Sequence, residues 1–285
     1  MGIEQHLGQA SEYKSTYDAS LLVTELRQTN RDGQNITSSM VGRDLWNVYE
    51  ISFLTNHGQP INGVGKITYS SANASIVESK SLKLYFFSWN MTRIGETAED
   101  ASRLFADQVT TDLSNLLETP VEFTFYRNHL IPGDTDPFAV YQHIDLDLDD
   151  IEFTDVNENP ELLESIDCES VLTARSSLLR SNCKITNQPD YGDVFIYYRG
   201  PRTLDLNSLA KYLVSFRAEN HFHEEVCEMI YDRLIKFLEP VDLVVACRYT
   251  RRGGIDINPI RANREDLIPS VYVDYPLMLT KLARQ

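Results

Sequence analysis

The sequence predicts an α+β chain built from two similar halves. Three observations lead there. Short runs rich in β-branched and aromatic residues begin near Leu45, two longer stretches carry apolar residues at helical spacing, and the order of these elements recurs. SLKLYFFSW at 81–89 resembles SLAKYLVSF at 208–216, and LLETPVEFTFY at 116–126 resembles FLEPVDLVVACRY at 237–249. A duplication of about 120 to 130 residues is the economical explanation.

The first 40 or so residues are polar, with NRDG and NITSS turn signals, and predict loops or an edge strand rather than core. Strands are predicted over Leu45 to Leu54, Lys66 to Tyr69 and Ser81 to Phe87, the last because Leu82, Leu84 and Phe86 fall on one side of a two-residue period. From Thr97 to Glu118 the period changes: Ala101, Leu104, Phe105, Val109, Leu113, Leu116 and Leu117 share one helical face. Thr97, with Asp100 three residues on, opens that helix; Pro120 stops it, and VEFTFYR follows as a strand. In the second half Phe222, Val226, Ile230, Leu234 and Leu238 form the matching stripe, with Glu224 and Glu225 favourable in its first turn. Between the halves HIDLDLDDIEF alternates like a strand and TDVNENPELLES reads as a linker, whose acids lack the glycine and terminal glutamate of an EF-hand. The expected organisation is residues 1–132, an acidic connecting segment 133–170, and residues 171–285.

A formal net charge of −16 repels polynucleotide phosphates and anionic membranes, so neither a nucleic acid nor a membrane is an expected partner. The one compact basic cluster, Arg248, Arg251 and Arg252, suits a single phosphate or a dinucleotide. No apolar stretch reaches the roughly 20 residues of a membrane span, and the beginning of the chain lacks a basic flank and apolar core, so a cytoplasmic location is expected. The four cysteines form no CxxC pair and read as reduced thiols.

Cys183 lies in SNCKITNQPDYG, a predicted loop, with Asp190 seven residues on. A thiolate can attack an electrophilic carbon while a nearby carboxylic acid protonates the heteroatom that gains charge. A small buried cysteine beside a turn-forming aspartate satisfies the same spacing, which does not choose between the two. His223 and Glu224 open the second helix, where the dipole favours a neutral imidazole and a glutamate can accept from the N–H groups of a base. His221, His223 and Cys227 also have spacing open to a metal-ligand reading. Glu78 could accept from the ring N–H and exocyclic amine of a guanine-like base, with Lys80 beside a phosphate, or the segment is a solvated strand entry. Arg251, Arg252, Gly253 and Gly254 offer guanidinium groups next to a flexible turn. No Rossmann fingerprint, P-loop or GxSxG occurs, and Gly63-Val64-Gly65 lacks the third glycine.

Taken together, SNCKITNQPDYG, VESKSLKLYFFSWNMTR, FHEE and YTRRGGIDINP resemble the long form of the NADPH-dependent 7-cyano-7-deazaguanine reductases, nitrile reductases of queuosine biosynthesis. The resemblance runs over nearly the whole chain, with the cysteine and E-S-K-S-L-K motifs in different halves as in the long forms. It implies a tunnelling fold of two tandem units, each an antiparallel sheet with a pair of helices on one face, in a homodimer. It further implies that Cys183 adds to the nitrile carbon to give a covalent thioimide, that Asp190 is the general acid, and that two NADPH molecules supply two hydrides, with no metal. Val77, Glu78, Ser79, His223 and Glu224 would meet the deazapurine; Ser79, Lys80, Arg252 and Gly253 would meet NADPH. The sequence departs from the family pattern at Lys184 and Ile185, at Tyr191 in place of the common Trp, and at Ala218-Glu219-Asn220.

Overall fold

A computed structural model describes residues 14–127, 141–144 and 151–268. In the first half the elements are β1 (Thr24–Leu26), α1 (Arg27–Gly33), β2 (Val41–Leu54), β3 (Pro60–Ser70), β4 (Ser75–Val77), α2 (Ser79–Ser88), α3 (Ala98–Leu117) and β5 (Val121–Arg127). Next come β6 (Gln142–His143), β7 (Ser165–Ile166), β8 (Ser170–Ser176), β9 (Arg180–Cys183) and β10 (Pro189–Gly200). The chain goes on through β11 (Thr203–Leu204), α4 (Leu206–Val214), β12 (Asn220–His221), α5 (His223–Leu238), β13 (Asp242–Tyr249) and β14 (Ile255–Ala262). In both halves a long hairpin strand leads to a short helix, a long helix and a return strand.

One sheet runs through both halves in the order β12-β9-β10-β13-β14-β2-β3-β5, with β8 on β10 and β6 on β8. Its pairs are antiparallel except β12 on β9 and β6 on β8. The halves join where β14 pairs with β2 over Ile255↔Val48 to Ala262↔Val41. Alternation along the strands sorts the side chains. Val194, Ile196, Val245 and Tyr249 pack under α4 and α5, and Trp46, Val48, Ile67 and Phe123 pack under α2 and α3. Leu45, Phe195, Val244, Ala246 and Ile260 form a third cluster on the opposite side of the sheet. Helix α3 has the predicted cap, the Thr97 hydroxyl accepting from Asp100 N, and buries Ala101, Phe105, Val109, Leu113 and Leu117.

Two expectations are corrected. The predicted strand Ser81 to Phe87 is α2, because the Glu78 carboxylate caps it by accepting from Lys80 N and Ser81 N. Leu82 and Phe86 lie on one side in either conformation, whereas buried Tyr85 and half-buried Leu84 follow the helical period. The polar leading segment, expected as loops or an edge strand, has the short strand β1 but also the helix α1, and it runs across α5, where Asp232 accepts from Ser38 N at 2.9 Å and Tyr231 donates to Ser39 O at 3.1 Å. Much of HIDLDLDDIEF, at 145–150, lies outside the described residues, as do 133–140 of the connecting segment; the rest of it is irregular apart from a single 3-10 turn at Pro160–Leu162 and the short strands β6 and β7. No helix among the described residues is long and apolar enough to cross a membrane.

Candidate active site

A cavity of about 290 Å³ opens where the two halves meet, and it is lined by all ten residues to which the family resemblance assigns a catalytic or binding role. Val77 ends β4, so Val77, Glu78, Ser79 and Lys80 stand at the start of α2. The two oxygens of Glu78 are engaged by that helix end, at 2.9 Å from Lys80 N and 2.7 Å from Ser81 N.

Cys183 does not sit in an open loop; it is the last residue of β9. Its N–H donates to Gln188 O at 2.8 Å, and its carbonyl accepts from Asn187 N at 2.9 Å, a hairpin that Asn187 closes at φ 56°. Its thiol is half-buried in the cavity wall. Asp190, on the returning strand, is only 3% exposed. One of its oxygens is 3.2 Å from His223 Nε2 and the other is ion-paired with Arg252, which also donates to Gln188. Burial alone would raise its carboxyl pKa, but His223 and then Arg252 outweigh that and hold it below the usual range. His223 is fixed in turn by stacking on Tyr249, with ring centroids 3.8 Å apart and planes 4° from parallel. The arrangement is a thiol, a carboxylate kept ionised, and an oriented imidazole around one space.

Glu224 follows His223 into the first turn of α5. It is 3% exposed, and its Oε1 has no hydrogen-bond partner. Burial, then the charge of Asp44, push its carboxyl up to about 8. Arg252 and Gly253 belong to the turn between β13 and β14. Gly253 and Gly254 have φ of 55° and 77°, and a Cβ on Gly254 would stand 2.7 Å from the Glu50 carboxylate, so this tight turn requires glycine there.

The predicted basic cluster separates. Arg248 is buried in β13, Arg251 lies over the Tyr49 ring at 4.5 Å, and only Arg252 reaches the cavity. The three-residue metal reading also separates: the Cys227 thiol points into the core towards the carbonyls of Val245 and Pro259, at 3.6 Å from each, while His221 Nε2 stands 3.0 Å from Glu219 Oε2. Among the described residues no three His, Cys, Asp or Glu side chains gather as a metal centre would require.

Other lining residues stand outside those ten, and of these His221 was considered only as a metal ligand. Trp46 contributes from β2 and Lys83 from α2, and His221 sits beside Cys183 as its partner in the parallel β12–β9 pair. Lys83 follows Lys80 by three residues, a spacing that brings both to one side only if the segment is helical. Reading it as a strand concealed that lysine.

Residues 13–125 match a family model described as nitrile reductase, 7-cyano-7-deazaguanine-reductase N-terminus, and residues 189–267 match one described as QueF-like protein. Cys183 lies between the matched segments; the other nine residues lie within them. Among solved structures, an archaeosine synthase QueF-Like in the apo form is similar at 18% identity and a TM-score of 0.29, over 35% of this chain and 91% of that one. The two family matches together take in about two-thirds of the sequence, and the chain belongs to the 7-cyano-7-deazaguanine nitrile reductase family.

Proposed function

We propose that this chain reduces the nitrile of 7-cyano-7-deazaguanine to the aminomethyl group, in queuosine biosynthesis, through a thioimide on Cys183 with NADPH as reductant. The observation that carries the reading is the convergence of Cys183, the Asp190–His223 pair and Glu224 on one cavity. In the first step the Cys183 sulfur bonds to the nitrile carbon as one C–N π bond breaks. The thiol proton passes through Asp190 to nitrogen, so the adduct forms with no atom gained or lost beyond the ligand itself. An aspartate held ionised by His223 and Arg252 is suited to take that proton first and donate it second. Once one hydride has reached the former nitrile carbon, the nitrogen lone pair would expel the Cys183 sulfur, which breaks the C–S bond, restores the thiol and leaves an imine for the second hydride to reduce to the amine.

The cofactor reading rests on charge. In a chain of net charge −16, Lys80, Lys83 and Arg252 line the same cavity beside Gly253. Burial and then the Arg252 charge pull the Lys83 ammonium below its usual range, an unfavourable situation that an anionic phosphate relieves. Those residues, with Ser79, fit a phosphate-bearing dinucleotide, and bound NADPH would supply hydride to the former nitrile carbon.

For the architecture we infer two tunnelling-fold units, residues 1–132 and 171–285 around the connecting segment 133–170, in a cytoplasmic homodimer. The repeated series of hairpin strand, helix pair and return strand supports the two units. Activity is tested by incubating the protein with 7-cyano-7-deazaguanine and NADPH and following both concentrations. Two NADPH oxidised per nitrile consumed is the expected stoichiometry; no oxidation by folded protein would overturn the reading.

A further inference from the structure

Behind the cavity a set of buried charges links four elements. Asp44 on β2 is fully buried and ion-paired with Arg27 of α1 and with Arg261 of β14, the latter at 2.9 Å. Arg261 also holds Glu228 of α5 at 2.9 Å, and Glu228 accepts from Arg31 at 2.8 Å. One turn earlier on α5 stands Glu224, whose Oε1 lacks a partner. Tyr69 of β3 and Tyr249 of β13 also feel the Glu224 charge, and neither supplies a cation.

Two buried carboxyl groups within each other's field do not both ionise readily. Geometry decides which of them holds the proton. Asp44 has two guanidinium partners, whereas Glu224 has no ion pair within the described residues and feels Arg27 and Arg261 only at a remove. We propose that Asp44 is a positioning residue that keeps Glu224 protonated in the ligand-free chain, so that the donor edge of the deazapurine binds with the release of one proton. This rests on the function proposed above. The ring N–H and exocyclic amine of a guanine-like base need an ionised acceptor and compensate its charge once bound. Glu78 is less suited to that part because both of its oxygens already cap α2.

The sign follows from linkage. With the carboxyl raised to about 8 in the free protein, most molecules carry the proton at pH 7 and few do at pH 9. Affinity therefore rises about tenfold per pH unit below pH 8 and levels off above it. The experiment is titration calorimetry of the full-length Cys183→Ala chain, which cannot form the adduct, with 7-cyano-7-deazaguanine. Measurements in two buffers of different ionisation enthalpy, at pH 7 and at pH 9, count the protons released. Release of most of one proton at pH 7 and of clearly less at pH 9 is expected. In Asp44→Asn the two arginines are free to favour ionised Glu224, so release at pH 7 should fall towards zero; if that variant does not fold, the two-pH measurement decides alone. Binding with no proton released at pH 7, or with equal release at both pH values, would overturn the inference while leaving the function reading intact. Absence of binding would overturn both.

Discussion

At the residue scale Asp190 has an unusual environment in the cavity. A carboxylate this buried ordinarily takes up a proton to avoid an uncompensated charge, and here His223 and Arg252 reverse that tendency. In the mechanism proposed above it would therefore enter as a base towards Cys183 and become an acid only after accepting the thiol proton. Asp190→Asn removes that exchange while preserving shape, and turnover should fall by about 10² to 10⁴-fold. Steady-state rates of NADPH oxidation measure this, and undiminished turnover would remove Asp190 from the mechanism. Cys183 and Asp190 were legible in the sequence as a thiol and a carboxylate seven residues apart, but spacing could not say that a hairpin turns both into one cavity. Nor could it show Asp44 beneath Glu224. Those two residues are 180 positions apart, and their electrostatic contact is created by the pairing of β14 with β2.

At the scale of elements, α2 shows why part of the site was hidden. Its aromatic-rich sequence satisfies strand preference, and Leu82 and Phe86, four apart, fit both periods. The deciding feature is the Glu78 cap, whose carboxylate takes two of the N–H groups that a helix start leaves unsatisfied. Once the segment is a helix, Ser79, Lys80 and Lys83 come to the cavity together. Glu78→Ala should cost about 1 kcal/mol through the lost cap, read as a lower melting temperature of the ligand-free protein. An unchanged melting temperature would mean that Glu78 acts on ligands only. The longer helices were readable from sequence because α3 and α5 each repeat their apolar stripe over several turns, too many for a strand period to imitate. The leading segment was not, since α1 has no apolar stripe and is held by Arg27 and Arg31 to charges on distant elements.

At the scale of the molecule, the two halves share one sheet, and the cavity lies at their junction. Val77 to Lys80 come from the first half; Cys183, Asp190, His223, Glu224, Arg252 and Gly253 come from the second. The two halves repeat one hairpin-and-helix series, with Cys183 in one and the E-S-K-S-L-K segment in the other. The repeat was visible in sequence as paired motifs. The way the repeats meet was not, because β14–β2 pairing joins strands about 200 residues apart and leaves no local signature. The central claim, that this shared cavity builds a covalent bond from Cys183 to a nitrile, is tested most directly by intact-mass measurement. The protein is incubated with 7-cyano-7-deazaguanine and no reductant, with Cys183→Ala treated in parallel. The account predicts a mass increase equal to the whole ligand on the wild-type chain, lost on addition of NADPH, and none on the variant. An unmodified wild-type chain that binds the ligand, or an adduct that persists in Cys183→Ala, would contradict it.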